Sequence, residues 1–194
     1  MECRVLGSLE AWGEHGLIGL GGPQQRRLLA VLLSDPGRVL TYDRLVEVLW
    51  PDADDPRTAR RSAITYVSRL RSALGAGVVQ TTSAGYALVP GAASVDADRF
   101  VALLDQARSS PPDRAVGLLD EALALWRGPV FGDLQDEWWA RPMVKRLDEL
   151  RLTAMADRID ALTADGWDGR ALAEARALVD AHPTREQFVD RAMR

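Results

Sequence analysis

The stretch RTARRSAITYVSRLRSAL, Arg57–Leu74, holds five arginines and no Asp or Glu. The chain around it is acidic, with 24 basic against 28 acidic side chains in 194 residues. On a helical wheel of about 100° per residue, Ala59, Ala63, Val67, Leu70 and Leu74 fall on one face, with Tyr66 at its edge. The opposite stripe carries Arg57, Arg61, Thr65, Ser68 and Ser72, with Thr58 and Arg69 beside it and Arg60 and Arg71 flanking it. Ile64 falls off the apolar stripe, and the periodicity gives no reason for it.

A solvated helix ordinarily mixes Glu with Arg, because oppositely charged pairs one turn apart stabilise it. A helix that enters the major groove of DNA needs something else. Its centre needs short polar side chains that let it approach the base edges, and its borders need cations facing phosphate. The segment has that pattern. The competing explanation is a solvated face, or a docking surface for an acidic neighbour.

Working outward, GPQQRRLLAVLLSDPG reads as a helix opened by Pro23, lined by Leu28, Leu29, Val31, Leu32 and Leu33, and stopped at Asp35-Pro36-Gly37. RVL (38–40) reads as a short extended link. Thr41 is placed to cap a second helix with Asp43 in its first turn and Pro51 after it. Asp55 and Pro56 cap and open the arginine helix, and Gly75 and Gly77 end it. Upstream, CRVLGSLEAW and LIGL alternate like short antiparallel strands. Downstream, VVQTTSAGYALV reads as a hairpin about Ser83-Ala84-Gly85. Strands, three helices and a terminal hairpin, in that order, predict a winged helix-turn-helix whose hairpin is the wing.

PGAASVDAD, around residues 90–98, reads as a linker, so the expected domains are 1–90 and 97–194 joined by residues 91–96. The second half reads as all-α, with helices near 98–108, 112–126, 137–163, 168–181 and from 184 onward. AEARALVDAHP is similar to the second helix of a tetratricopeptide repeat, so helical hairpins are expected to stack. The last helix lacks a partner in sequence, which leads to the expectation of a longer chain continuing beyond Arg194. Charge divides with the domains: ten Arg against nine Asp/Glu up to residue 90, then 14 basic against 19 acidic.

Composition excludes several classes. At 47% hydrophobic and 27% charged, the chain has material for a core and is not of the disordered type. It holds no apolar run long enough for a membrane span, which takes about 18 residues. MECRVLGSLEAW lacks the plan of a secretion signal, and Cys3 is the single cysteine. Together these lead to the expectation of a cytoplasmic protein, with no membrane partner. GLGGP lacks the Gly-Lys-Ser/Thr ending of a phosphate loop and reads as a turn. His15 and His182 stand apart, without Cys or His at metal-ligand spacing. Asp52, Asp54 and Asp55 between prolines read as a solvated loop and cap rather than a cation site. Trp138 and Trp139 read as a core or domain-interface anchor, with peptide binding the alternative. No catalytic constellation emerges, so the expectation is a non-enzyme without cofactor or metal.

GPQQRRLLAVLL, TYDRLVEVLW, AITYVSRLRSALG and TSAGYALV resemble, segment by segment, an OmpR-type winged helix. VDADRFVALLDQAR, LLDEALALWRGPVFGDL, RLDELRLTAMADRIDAL and HPTREQF resemble the bacterial transcriptional activation domain. In this order the two resemble the SARP-type regulators (Streptomyces antibiotic regulatory proteins) over nearly the whole chain. The resemblance implies an activator that binds direct repeats in double-stranded DNA near a promoter, as a homodimer on DNA in one arrangement, and contacts RNA polymerase holoenzyme. It also implies a recognition helix at 56–74 and a wing around Ser83–Gly85. The family's helical domain normally continues further, and no receiver domain precedes the winged helix here, so control by phosphorelay is not expected.

The residue-level expectation is that Arg61, Thr65, Ser68 and Arg69 lie nearest the bases. Arg57, Arg60 and Arg71 reach phosphates, together with the wing residues Thr82, Ser83 and Gly85. A second function remains open: a tetratricopeptide-like adaptor whose winged helix makes only protein contacts, a reading that the modest +1 charge of residues 1–90 keeps alive.

Overall fold

The computed structural model describes residues 1–51 and 56–193, and the side chain of Pro56 lies outside the description. The acidic cluster Asp52, Asp54 and Asp55, including the expected cap at Asp55, lies outside the described residues. The chain forms two compact units. The first comprises Met1–Asp96 with Arg127–Val144, the second Ala97–Trp126 with Lys145–Arg194.

In the first unit, β1 (Glu2–Arg4), β2 (Glu10–Gly13) and β3 (Gly16–Leu17) form an antiparallel meander. Cys3 and Ala11, paired in register, point inward and are fully buried, while Glu2, Arg4, Glu10 and Trp12 alternate to the other side. Helix α1 (Pro23–Ser34) starts on Gly22, whose N–H donates to the Gln25 side-chain oxygen at 3.0 Å, and buries Leu28–Leu33. Strand β4 (Leu40–Thr41) leads directly into α2 (Tyr42–Leu49), where the Thr41 hydroxyl accepts from Arg44 N–H at 3.3 Å as the expected cap. Helix α3 (Pro56–Leu74) ends at Gly75, which takes φ +106°, a left-handed conformation that suits glycine. The three helices pack on one another through Leu28, Leu29, Leu45, Leu49, Ala63, Val67 and Leu70, all essentially inaccessible. Two strands follow, β5 (Val79–Thr81) and β6 (Gly85–Leu88), and these pair as the expected hairpin.

The RVL link does more than connect. Leu40–Thr41 pairs with β6, so the hairpin becomes a three-stranded sheet of order β4-β6-β5. This crossing explains Gly85. A Cβ there would overlap the Leu40 carbonyl oxygen and lie 2.9 Å from Thr41 Cα. Gly85→Ala is therefore expected to destabilise the first unit by about 1–3 kcal/mol through overpacking. Thermal unfolding of the variant checks this.

The segment expected to be a linker is partly sheet. Strand β7 (Ser94–Val95) pairs in parallel with β1, and Asp96 behind it is buried. Its carboxylate accepts from Val5 N–H at 2.7 Å and Leu6 N–H at 3.1 Å. Residues 127–144, which the sequence assigns to the helical half, also belong with this sheet. Arg127 N–H donates to Leu6 O at 2.7 Å and Phe131 N–H to Val5 O at 2.8 Å. Phe131 holds φ +61° and is fully buried, with Trp139 edge-on at 5.9 Å. The backbone amides that follow β1 need partners, and this distant segment and Asp96 supply the partners.

The second unit is helical: α4 (Asp96–Arg108, from Ala97 onward), α5 (Pro112–Ala124), α6 (Arg141–Ala164, from Lys145 onward), α7 (Asp168–Ala181) and α8 (Glu186–Met193). Ala171 and Ala175, one turn apart, let α7 approach Ile159 and Leu162 of α6 closely, and α8 packs on α7 with Phe188 fully buried. Arg158 of α6 binds both Asp120 of α5 and Glu174 of α7, and Arg185 grips Glu149 with two hydrogen bonds of 2.6 and 2.8 Å. No helix among the described residues is long and apolar enough to cross a membrane.

Candidate nucleic-acid interface

Helix α3 is amphipathic as its spacing dictates. Ala59, Ala63, Val67, Leu70 and Leu74 are buried, while Arg57, Thr58, Arg60, Arg61, Thr65, Ser68, Arg69 and Ser72 are exposed. Tyr66 stays at the edge, stacked on Trp50 with ring centroids 5.7 Å apart. The hydroxyls of Thr65 and Ser72 donate back to the carbonyls of Arg61 and Ser68, at 3.3 and 3.1 Å, so their oxygens remain able to accept from an outside donor.

Nearby arginines outside α3 are neutralised by carboxylates: Arg27 by Glu137, Arg38 by Asp35 at 3.1 Å, and Arg44 by Glu47 at 2.8 Å. Three of those on α3, Arg60, Arg69 and Arg71, lie near aromatic rings instead. Arg60 lies 4.0 Å over the Tyr42 ring, and Arg69 stands 6.0 Å from Tyr66. A ring orients a guanidinium without cancelling its charge, so the face keeps its positive potential.

Two of the expected contacts need correction. The guanidinium of Arg71 is turned toward the hairpin: Nε donates to Val79 O at 2.8 Å and Nη2 to Thr81 Oγ1 at 2.7 Å. It also stands 5.8 Å from the Tyr86 ring. Two of its donors thus fix the wing to the helix, and the guanidinium expected on phosphate is turned toward the hairpin. Arg71→Ala is expected to cost about 1–2 kcal/mol of stability. A salt titration of DNA binding by that variant should keep the wild-type slope, whereas Arg60→Ala, at an expected phosphate contact, should lower the slope by about one.

The second correction concerns Gly85, which is buried under β4 and has no surface to offer a groove. Thr82 is also largely committed. Its hydroxyl accepts from Gly85 N–H at 3.1 Å and Ala84 N–H at 3.3 Å, closing the turn. Ser83 and Ala84 form the exposed tip, and Tyr42 N–H anchors it by donating to Ala84 O at 3.2 Å. The structure thus brings together Arg57, Arg60, Arg61, Thr65, Ser68 and Arg69 on one face, with Ser83 on the wing. Tyr42 and Thr81, which orient Arg60 and Arg71, were not legible because their partners lie on other elements.

Trp139 is the core anchor expected of the tryptophan pair, and Trp138 stays at the surface with the Arg44 guanidinium 3.4 Å from its ring. An open cleft of about 380 Å³ at the start of α1 is lined by Pro23, Gln24, Arg26, Arg27, Asp133, Leu134 and Glu137. Arg27 and Glu137 pair there, and the lining includes no Ser, Cys or His that could act as nucleophile or base. No group of three or more His, Cys, Asp or Glu among the described residues is placed to hold a metal ion.

Comparison with known proteins agrees with this arrangement. Residues 95–194 match the family described as Bacterial transcriptional activator domain, and residues 20–88 match Transcriptional regulatory protein, C terminal. The chain is 36% identical over 189 residues to the regulatory protein AfsR of Streptomyces coelicolor, covering 95% of this chain and 19% of that protein. It is 31% identical over 204 residues to the transcriptional regulator RedD of the same organism, covering 100% of this chain and 58% of RedD. The solved structure of Mycobacterium tuberculosis EmbR in complex with a low-affinity phosphopeptide superposes with a TM-score of 0.87 at 31% identity, over 98% of this chain and 53% of that one. The chain therefore spans between about a fifth and three fifths of the length of these proteins.

Proposed function

The chain belongs to the bacterial transcriptional activator domain family, and on that premise we propose that it is a sequence-specific DNA-binding transcriptional regulator, acting as an activator. The observation that carries the proposal is the exposed face of α3, where the arginines of a segment that itself contains no Asp or Glu surround Thr65 and Ser68. Arg61, Thr65, Ser68 and Arg69 read base edges in the major groove. Arg57 and Arg60 hold phosphates, and Ser83 at the wing tip reaches the adjacent minor groove. The finer features follow the same reading: direct repeats near a promoter, occupied by a homodimer, with RNA polymerase holoenzyme as the partner. The protein works in the cytoplasm and performs no chemistry on its ligand.

Fluorescence anisotropy tests this with a labelled duplex from upstream of the neighbouring gene cluster, against a scrambled duplex, across a salt series. The expected result is tighter binding to the upstream duplex. With Arg57 and Arg60 of each protomer in the homodimer on phosphate, about four in all, the slope of log K against log salt should be roughly −3.6. Absence of binding to any duplex at low salt would favour the adaptor instead, for which the +1 charge of residues 1–90 is the supporting observation.

A further inference from the structure

We propose that Ile64 reads the C5-methyl group of a thymine in the major groove, so that the chain prefers thymine at one position of its site. This inference rests on the DNA-binding reading above. Ile64 is 48% exposed. The sequence already marks it as a misfit to the apolar stripe of α3, and the fold confirms that no core takes it up. Its neighbours one turn away are Arg60 and Arg61 on one side and Ser68 on the other, all exposed. The other large exposed apolar residues, such as Leu17, Trp138, Trp167 and Met193, lie outside α3.

A single exposed aliphatic side chain is common on protein surfaces, so its position has to decide what it does. A protein-docking patch needs several hundred Å² of contiguous apolar surface, on the order of 300 Å² or more. Ile64 stands alone among guanidinium and hydroxyl groups, which select a polyanion and not an apolar partner surface. A β-branched residue is also a poorer helix former than the Arg and Ala around it, so helix formation does not explain its presence. Within the major groove, the methyl of thymine is the apolar group that a base edge presents. An isoleucine beside short Ser68 and Thr65 reaches past them to that methyl while Arg57 and Arg60 bind the phosphates. Burying one methyl group in this way corresponds to about a three- to fivefold preference.

The test is selection from a randomised duplex library by the full chain and by its Ile64→Ala variant, followed by sequencing. Ala is a better helix former than Ile and the site is exposed, so the variant folds. Both proteins are expected to enrich the same site, with thymine strongly preferred by the wild type at one position where the variant shows no preference. Ile64→Val, still branched and apolar, keeps the thymine preference. Replacing that thymine by deoxyuridine removes only the methyl group. The uracil duplex should bind the wild type about three- to fivefold more weakly and the Ala variant no more weakly than the thymine duplex. Identical preferences in wild type and Ile64→Ala, or the same uracil penalty in both, would overturn the assignment while leaving DNA binding intact. If neither protein enriches any sequence, the assignment and the DNA-binding reading fall together.

Discussion

Reversing Arg61 and Arg69 to glutamate together should abolish specific binding to duplex DNA and leave the protein folded. Both side chains are exposed, and they sit eight residues apart on α3, about 12 Å along the helix axis. They therefore bracket the exposed hydroxyls of Thr65 and Ser68, the pair proposed to face the bases. A lost arginine contact to a base edge costs on the order of 1–3 kcal/mol, and each reversal also brings a carboxylate toward phosphate. Two reversals should weaken binding about a hundredfold or more at moderate salt. Neither residue supports the core, so the thermal midpoint should move by no more than the usual surface substitution, about 0.5 kcal/mol. Anisotropy and circular dichroism on the same preparation check both halves. A folded variant that binds as tightly as wild type would remove α3 from the interface.

The Asp96→Ala variant should be the most destabilised in the molecule. Asp96 is 3% exposed and satisfies the amides of Val5 and Leu6, and Arg127 Nη2 lies 3.4 Å from its Oδ2. Arg127 in turn pairs with Glu10 at 3.1 Å. Alanine would leave two buried N–H groups and part of a guanidinium without an acceptor, a loss on the order of 3–5 kcal/mol. For a chain of this size that corresponds to a fall in Tm of about 6–20 °C. Asp96→Asn keeps one acceptor and should lose roughly half as much.

Burial raises the Asp96 carboxyl above its ordinary range, against the pull of the Val5 and Leu6 amides and Arg127. The native state therefore holds this proton at a pH where the unfolded chain, with a pKa of about 3.9, has released it. From this group stability falls as pH rises from about 3.9 through the native value, a slope that Asp96→Asn should lack. Chemical denaturation at several pH values measures it. A loss under about 1 kcal/mol for the alanine variant would show that the buried carboxylate is not what ties β1 to its surroundings.

Sequence spacing was enough to read α3 correctly. The face formed by Ala59, Ala63, Val67, Leu70 and Leu74 is a local pattern, and the packing of α1 and α2 respects it. Thr41, Pro23 and Gly75 likewise act within one turn of their own positions. What the sequence hid depends on pairings across long separations. Asp96 meets Val5 and Leu6 some ninety residues away, and Phe131 meets Val5 across more than a hundred. Residues 127–144 were therefore read with the helices around them and not with the sheet they complete. Arg71 looked like its neighbours on a wheel, and only the arrival of Val79 and Thr81 beside it reveals a residue that positions the wing. Gly85 looked like a wing turn residue able to meet DNA because nothing nearby in sequence shows that Leu40 passes over it.

Affinity cleavage from position 68 tests the central claim most directly. Cys3 is fully buried, and burial followed by the nearby Asp96 carboxylate pushes its thiol up to about 11, so a thiol reagent at neutral pH will pass over it. A Ser68→Cys chain can then carry an iron chelate at the centre of the exposed face, and a Ser83→Cys chain can carry one at the wing tip. Bound to a duplex selected from a random library, the first should cut at one place inside the site and the second in the flanking minor groove. A chain that binds the duplex but cuts nowhere within the site from position 68 would show that α3 is not the element that reads DNA.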